Sequence, residues 1–417
     1  MTVVVHRDCY PPAGLTRVDD ALAFVAAHVD VVAGSELVPL HKATGRILTN
    51  DIRASATSPA YDRSAMDGFA FRFDAAAIGR PLHCVDRAYA GTPFKGTVTA
   101  GGCVAIATGA MLPSDCDTIV IREQCDVTGN CVVISGPIVP GQHIRRRGED
   151  FWAGDVLLTA GTRLASQHLG LLASAGLASA NVRHRVRVAL LSIGNELSAG
   201  SAEAETAQIF DANRPMLLSF CERLGAEVSD LAILPDRRDR IAAVLRMAAA
   251  THDVIICSAA TSNGEEDHVR AAIRDCGGDI LIAGVAIKPG KPVSFSKIGA
   301  CLHIALPGNP AAALITFLTM GVPLLRQVAG ENRSPAPLQM VRAAFTHRKK
   351  KGLRDYLRVT LRPGHDHITQ AHHCVKDGSA MLASLAQSHG LVWLDEDTTE
   401  IARGDLLPFC PFDGLLG

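Results

Sequence analysis

The chain lacks an excess of charge of either sign. Its 41 Lys and Arg nearly equal its 42 Asp and Glu, a formal charge of −1 over 417 residues. A field of one sign draws proteins to nucleic acid or to anionic membranes, so composition makes no case for either, and any anion selectivity has to come from local clusters. Paired cysteines are also missing: the 12 cysteines are scattered, no Cys-x-x-Cys occurs, and the nearest two are Cys125 and Cys131. That spacing fits neither a zinc knuckle nor a redox pair, and free thiols in a reducing cytoplasm are expected. No basic-then-apolar leader opens the chain, and residues 1–14 read as loose. The uncharged run 304–325 holds three prolines and an asparagine, so it is expected to be a buried helix rather than a membrane span. Aromatics make up 5% of the chain, a scarcity that singles out no partner.

Hydrophobic residues are plentiful at 48%, enough for the cores of several domains. The centre of the chain carries the strongest pattern. Apolar runs at 186–193, 228–234, 253–257, 280–287 and 302–306 are of strand length, and helical patterns at 215–224, 238–250 and 265–276 separate them. This alternation predicts a doubly wound parallel sheet covered on both faces, with ligands bound beyond the carboxyl ends of the strands. At those ends stand Glu196 after Gly194-Asn195, Asp236 after Pro235, Asp267 in a first helical turn, Lys288 and Lys291 flanking Pro289-Gly290, and Pro307-Gly308-Asn309-Pro310. Glu196, Asp236 and Asp267 offer hard oxygens of the kind Mg²⁺ takes, although an acid in a first turn is also ordinary capping. Two lysines held close by a stiff Pro-Gly turn repel each other unless an anion lies between them. The Gly308 turn leads into a helix, where backbone N–H groups can meet an oxyanion.

On either side the signals are quieter. Thr16 followed by Asp19 marks a helix start, and an apolar-rich helix is predicted over 18–29. Asp62, Ser64 and Asp67 sit together before an expected strand; they read either as a capped turn or as ligand-facing groups, the turn being simpler. Residues 79–134 alternate short strands with Gly and Pro turns. In them Thr108-Gly109 follows a strand, ordinarily just a turn. Arg145-Arg146-Arg147 before Glu149-Asp150 reads equally as a phosphate clamp or as a solvated face. Another helix is predicted over 161–178. A polar linker at 331–337 precedes a small β domain, whose loop histidines read as surface.

Taken together, these segments resemble the MoeA/gephyrin E-domain family, the molybdopterin molybdenumtransferases. The resemblance rests on Tyr61-Asp62-Arg63-Ser64-Ala65-Met66-Asp67-Gly68-Phe69-Ala70, Ala107-Thr108-Gly109-Ala110, Arg146-Arg147-Gly148-Glu149-Asp150, Ser192-Ile193-Gly194-Asn195-Glu196-Leu197 and Ile209-Phe210-Asp211-Ala212-Asn213-Arg214, with Lys288-Pro289-Gly290-Lys291-Pro292 and Pro307-Gly308-Asn309-Pro310 in the family's own form. It implies four subdomains: a discontinuous one at 15–53 and 151–185, a β-rich insert at 54–150, a MogA-like α/β domain at 186–331 and a terminal β-barrel at 332–417. It further implies a cytoplasmic homodimer with a composite active site that inserts molybdenum from molybdate into adenylylated molybdopterin and releases AMP, using Mg²⁺. Asp62, Asp67, Glu196, Asp236, Asp267, Lys288 and Lys291 would be catalytic, the acids Glu196, Asp236 and Asp267 holding the metal. Ser64, Thr108, Arg145, Asp150, Ser258, Ser262, Pro307, Gly308, Asn309, Arg358 and Ser379 would bind substrate. A MogA-like adenylyltransferase and acceptor or carrier proteins for the cofactor are the implied partners.

The chain departs from the family pattern in three places. Ala259 and Ala260 replace glycines, Ala312 replaces a serine after the Pro307 turn, and Gly352-Leu353-Arg354 carries its arginine one place late. A non-catalytic carrier or scaffold, or a cleft enzyme acting on another nucleotide-linked ligand, are the alternatives.

Overall fold

The computed structural model describes residues 14–74, 79–200, 208–258, 268–332, 338–364, 368–374 and 378–416. At its centre lies a six-stranded sheet in the order Glu227–Leu234, Arg187–Ile193, Val254–Ser258, Cys301–Leu306, Ser294–Ile298, Asp279–Ile282. The first four strands are parallel, Ser294–Ile298 runs antiparallel to them, and Asp279–Ile282 runs antiparallel to Ser294–Ile298. Side chains alternate across a strand, and here both faces are buried. Val188, Leu190, Val254 and Ile256 enter one core with helices Asn213–Arg223 and Pro310–Thr316. Ala189, Leu191, Ile255 and Cys257 enter another under helices Arg238–Thr251 and His268–Asp275. The doubly wound prediction therefore holds, with a mixed edge in place of an all-parallel sheet.

The run 280–287 does not make one strand. Asp279–Ile282 ends at the sheet edge, and Ile287–Lys288 leaves to pair in parallel with Arg354–Asp355 of the C-terminal domain. Between them the backbone turns onto the N-terminal segment: Thr16 N–H donates to the Gly284 carbonyl at 3.3 Å and Ala286 N–H to that of Thr16 at 2.7 Å. The strand Ser294–Ile298 was not predicted, because Ser294 and Ser296, both buried, interrupt its apolar pattern. The stretch Pro310–Val328 is long and apolar enough to cross a membrane by composition alone, and it is 78% buried as the central helical layer. The helix predicted over 161–178 is confined to Ser166–Ser174.

In the C-terminal unit, strands Arg354–Arg362, Gln370–His373, Gln339–Ala343, Leu406–Pro411 and Gly390–Leu394 follow one another, and the last pairs back with the first. The result is a closed five-stranded barrel around Val341, Leu357, Val359, Val392 and Phe409. Closure removes the exposed sheet edges. The insert holds a mixed six-stranded sheet with a core on each face. The discontinuous unit joins Ser35–Pro39 to Ser179–Arg183, and Ile52–Arg53 to Val156–Leu158.

Helix Val18–Ala27 does not stay with that discontinuous unit. Val18, Ala21, Val25 and Ala26 are buried in the central core. Its N-terminus has no side-chain cap of its own. Instead Glu396 of the barrel accepts the Val18 N–H at 3.2 Å, while Arg354 donates to both Asp19 oxygens at 2.8 and 2.7 Å and to Glu396 at 3.1 Å. A carboxylate at a helix N-terminus satisfies an orphan donor and opposes the helix dipole. Glu396→Ala takes one of two acidic partners from Arg354 and the acceptor from the Val18 N–H, and chemical denaturation is expected to show a loss of about 1–3 kcal/mol. The Arg354 hydrogen bonds hold the Asp19 carboxyl below its ordinary range. Its contribution is therefore complete at neutral pH and lost as pH falls through the depressed value. The stability gap between wild type and Asp19→Asn is expected to close in acid.

Candidate functional site

The parallel strands end at a cleft of about 510 Å³, lined by Glu196, Asp211, Asn213, Pro307, Gly308 and Asn309 of the central domain and by Ala380 of the barrel. The rim loops follow from local chemistry. Gly194 leaves strand Arg187–Ile193, and a Cβ there would stand 2.6 Å from a Glu196 carboxylate oxygen, so only glycine lets that side chain fold back. Asn195 Oδ1 accepts the Asp236 N–H at 3.1 Å, tying the Glu196 loop to the next strand end. Asp211 Oδ1 accepts the N–H groups of Asn213 and Arg214, both at 3.1 Å, and thereby caps helix Asn213–Arg223.

Asn213 is the pin of the site. Its side chain is buried and its Nδ2 donates to Ser258 Oγ at 2.7 Å and to the Gly308 carbonyl at 2.8 Å, joining three strand-end segments. From the barrel side, Asn309 Nδ2 donates to Ser379 Oγ at 3.0 Å and Ala311 N–H to the Ser379 carbonyl at 2.9 Å. Arg358, expected as an anion contact, is 3% exposed and is taken up by the protein itself. It donates to the Met381 carbonyl, Ser384 Oγ and the Gly378 carbonyl, at 2.8, 3.0 and 3.1 Å, and so fixes the turn that presents Ser379.

The lysines behave differently from the expectation that an anion must separate them. Lys288 Nζ lies 3.0 Å from Asp355 Oδ2, a nearly buried barrel carboxylate that also receives His347 Nε2 at 3.0 Å. Repulsion between the lysines is thus relieved within the protein for Lys288. Lys291 is exposed, and Pro292, not either lysine, lines the cleft with Glu196. Gly290, at φ 119°, brings this loop onto Thr316, whose Cγ2 would stand 2.1 Å from an added Cβ. Asp267 and Ser262 lie outside the described residues. Among the described residues no group of three or more His, Cys, Asp or Glu is placed to hold a metal.

A second group of expected residues gathers on the insert. Strand Ile144–Arg145 pairs with Arg63–Ser64. Asp62 accepts from Arg146 Nη1 at 2.7 Å and from the Arg147 N–H at 2.8 Å. Asp67 accepts from the N–H and the hydroxyl of Thr108, at 2.6 and 2.7 Å. These bonds, led by the backbone N–H in each case, hold both carboxyls below their ordinary range. Ser64 Oγ donates to the Met66 carbonyl, and Arg145 and Asp150 are exposed. Locally this is the capped turn. Among the described residues no hydrogen bond or ion pair joins 60–149 to the cleft. Among the described residues the chain therefore carries two clusters that share no such bond.

Comparison with known proteins follows the same division. Residues 16–176 match the model of the MoeA N-terminal region (domain I and II), 189–327 that of a probable molybdopterin binding domain, and 340–412 that of the MoeA C-terminal region (domain IV). A Haemophilus influenzae protein named molybdopterin molybdenumtransferase is 30% identical over 405 residues, covering 97% of this chain and 100% of its own. The chain belongs to the molybdopterin molybdenumtransferase family. A second family relative, molybdopterin molybdenumtransferase 2 of Mycobacterium tuberculosis, is 33% identical over 89% of this chain and 93% of its own. The crystal structure of a molybdopterin biosynthesis moeA protein from Pyrococcus horikoshii shares the fold, with a TM-score of 0.83 at 24% identity over 95% of this chain and 100% of that one. The residues that sequence reasoning left out and the structure places at the cleft or against Lys288 are Asp211, Asn213 and Asp355. Asp211 and Asn213 lay in a quoted motif, while nothing near Asp355 in sequence marks it.

Asn213→Ala breaks two hydrogen bonds and leaves the Gly308 carbonyl unpaired. Denaturant unfolding is expected to show a loss of about 1–3 kcal/mol, with faster amide exchange at 307–311.

Proposed function

We propose that the chain carries out the metal-insertion step of molybdenum cofactor biosynthesis: adenylylated molybdopterin and molybdate are its substrates, and AMP leaves. The observation that carries this reading is the cleft at the strand ends, bounded by Glu196 and the Pro307–Pro310 turn and closed from the barrel through Asn309 and Ser379. Full-length relatives bearing the transferase name support it. The phosphoanhydride is the bond to be broken, water adding across it to give AMP and the pterin's phosphate, and positioning with charge neutralisation is what this site can supply. The Gly308 turn of the cleft lining faces developing oxyanion charge, Lys288 is drawn in from beside it, and no covalent protein nucleophile is required. Lys288 reaches an arriving phosphate by exchanging Asp355 for it. The oxygen-only set of Glu196 and Asp236, with Asp267 as the expected third, suits a hard divalent cation. Bound there, Mg²⁺ would offset charge on the anhydride oxygens. Asp62, Ser64, Asp67, Thr108, Arg145 and Asp150 would complete the site from the insert of a second copy in a homodimer, which gives the separate cluster a use. A reducing cytoplasm suits the free cysteines. An adenylyltransferase upstream and a cofactor acceptor downstream are the partners this chemistry calls for.

Purified protein is expected to release AMP from adenylylated molybdopterin in a molybdate-dependent manner, with Glu196→Ala and Lys288→Ala each slowing it by about 100-fold or more. Full activity in Lys288→Ala would overturn the assigned role. Mixed in equal amounts and re-annealed, Asp67→Ala and Glu196→Ala subunits are expected to recover roughly a quarter of wild-type activity, because only mixed dimers hold one intact composite site. No recovery would place each site within one chain.

A further inference from the structure

Besides its polar groups, the cleft has an apolar wall made by Leu197, Ile209 and Phe210. Ile209 and Phe210 are 58% and 57% exposed, and Phe210 is the one aromatic among the described residues that line the cleft. A single apolar side chain on an open surface needs no explanation. This one stands at the mouth of a cavity on a backbone that is fixed on both sides. Ile209–Phe210 pairs in parallel with Leu197–Ser198, the Ile209 N–H donating to the Glu196 carbonyl at 2.8 Å and the Asp211 N–H to that of Ser198 at 2.9 Å. The next residue, Asp211, caps helix Asn213–Arg223, and Arg214 in that helix is paired with Asp230 at 2.6 Å. The Phe210 ring itself joins none of the hydrophobic cores and stacks on no other ring or guanidinium among the described residues. A flat apolar face is thus held ready at the cleft without a partner from the protein, and a planar ring is what such a face takes up best.

Position along the sheet says which end of a long ligand meets it. Glu196 and Phe210 follow strand Arg187–Ile193, whereas the Gly308 turn follows Cys301–Leu306, two strand spacings or about 10 Å away. The barrel contacts the Gly308 side through Asn309 and Ser379, and Lys288 lies against the barrel as well. Oxyanion chemistry belongs to that side, so the nucleoside end of an adenylylated substrate extends the other way, past Glu196.

We propose that Phe210 is the stacking platform for the adenine ring of the adenylylated substrate, with Leu197 and Ile209 as its apolar surround; this rests on the reaction assigned to the cleft. A phenyl ring has no hydrogen-bonding group, so it gives affinity for a flat base without reading the edge of that base.

The test titrates the purified full-length protein with AMP, and separately with ribose 5-phosphate, which lacks the base, by calorimetry in the presence of Mg²⁺. Phe210→Ala is expected to weaken AMP binding by about 5- to 150-fold, the worth of one base–aromatic stack, and to leave ribose 5-phosphate binding unchanged. Because the side chain is more than half exposed, the variant is expected to keep the wild-type thermal midpoint. Phe210→Trp is expected to restore AMP binding, and its added indole to be quenched by AMP but not by ribose 5-phosphate. Equal affinity for AMP in wild type and Phe210→Ala would overturn the inference and leave the reaction standing, whether the ring then proved to meet the pterin or a second copy of the chain. Equal loss of AMP and ribose 5-phosphate binding in Phe210→Ala would also overturn it, since a damaged cleft rather than a lost stack would be the cause. No binding of AMP to the wild type would overturn the reaction assigned to the cleft, and the inference with it.

Discussion

Two buried carboxylates of the barrel hold the functional half of the molecule together. The side chains of Glu396 and Asp355 are 1% and 2% exposed, and a buried charge is tolerated only where partners replace its water. Glu396 finds them in Arg354, Arg17 and the first N–H of helix Val18–Ala27. Asp355 finds them in Lys288 and His347. All these contacts run between the barrel and either the central layer or its own strands, beside the short parallel pairing of Ile287–Lys288 with Arg354–Asp355. The barrel is thereby seated so that its Ser379 turn closes one wall of the cleft.

That seating shapes the electrostatics of the site. Lys288 is not a bare ammonium waiting for an anion; it is stored as a pair with a carboxylate that cannot leave. Any oxyanion reaching Lys288 would have to compete with Asp355 instead of filling a void of unbalanced charge, and only a strongly charged one would do so. The insert shows the same economy. Asp62 and Asp67 are held by backbone N–H groups and by Arg146 and Thr108, so their carboxylates are set in place before any ligand arrives. Both clusters are thus held by hydrogen bonds within the protein itself.

Much of this was legible in the residue string. The alternating burial of Val188 to Leu191 follows from a continuous apolar run between turn signals, and the rim positions of Glu196 and Gly308 follow from where those runs stop. The less legible parts have particular causes. Ser294 and Ser296 disguise a buried strand as a polar one. Gly284 ends an apolar run because Leu15 and Thr16, remote in sequence, pack against it. Arg358 looks like a substrate contact until the carbonyls around it are seen.

By itself, the sequence determined much that depends on neighbours a few places away: the main strand and helix periods, the rim turn at Gly194, and motifs specific enough to name a family. Only the tertiary structure decided which charges are spoken for. Arg354 meets Asp19 across 335 positions and Arg17 meets Asp397 across 380. Whether a lysine is free or paired, and whether an arginine binds a ligand or braces a turn, depends on what a distant segment places beside it. Coulomb and hydrogen-bond energies act over a few ångströms of space, at any separation along the chain.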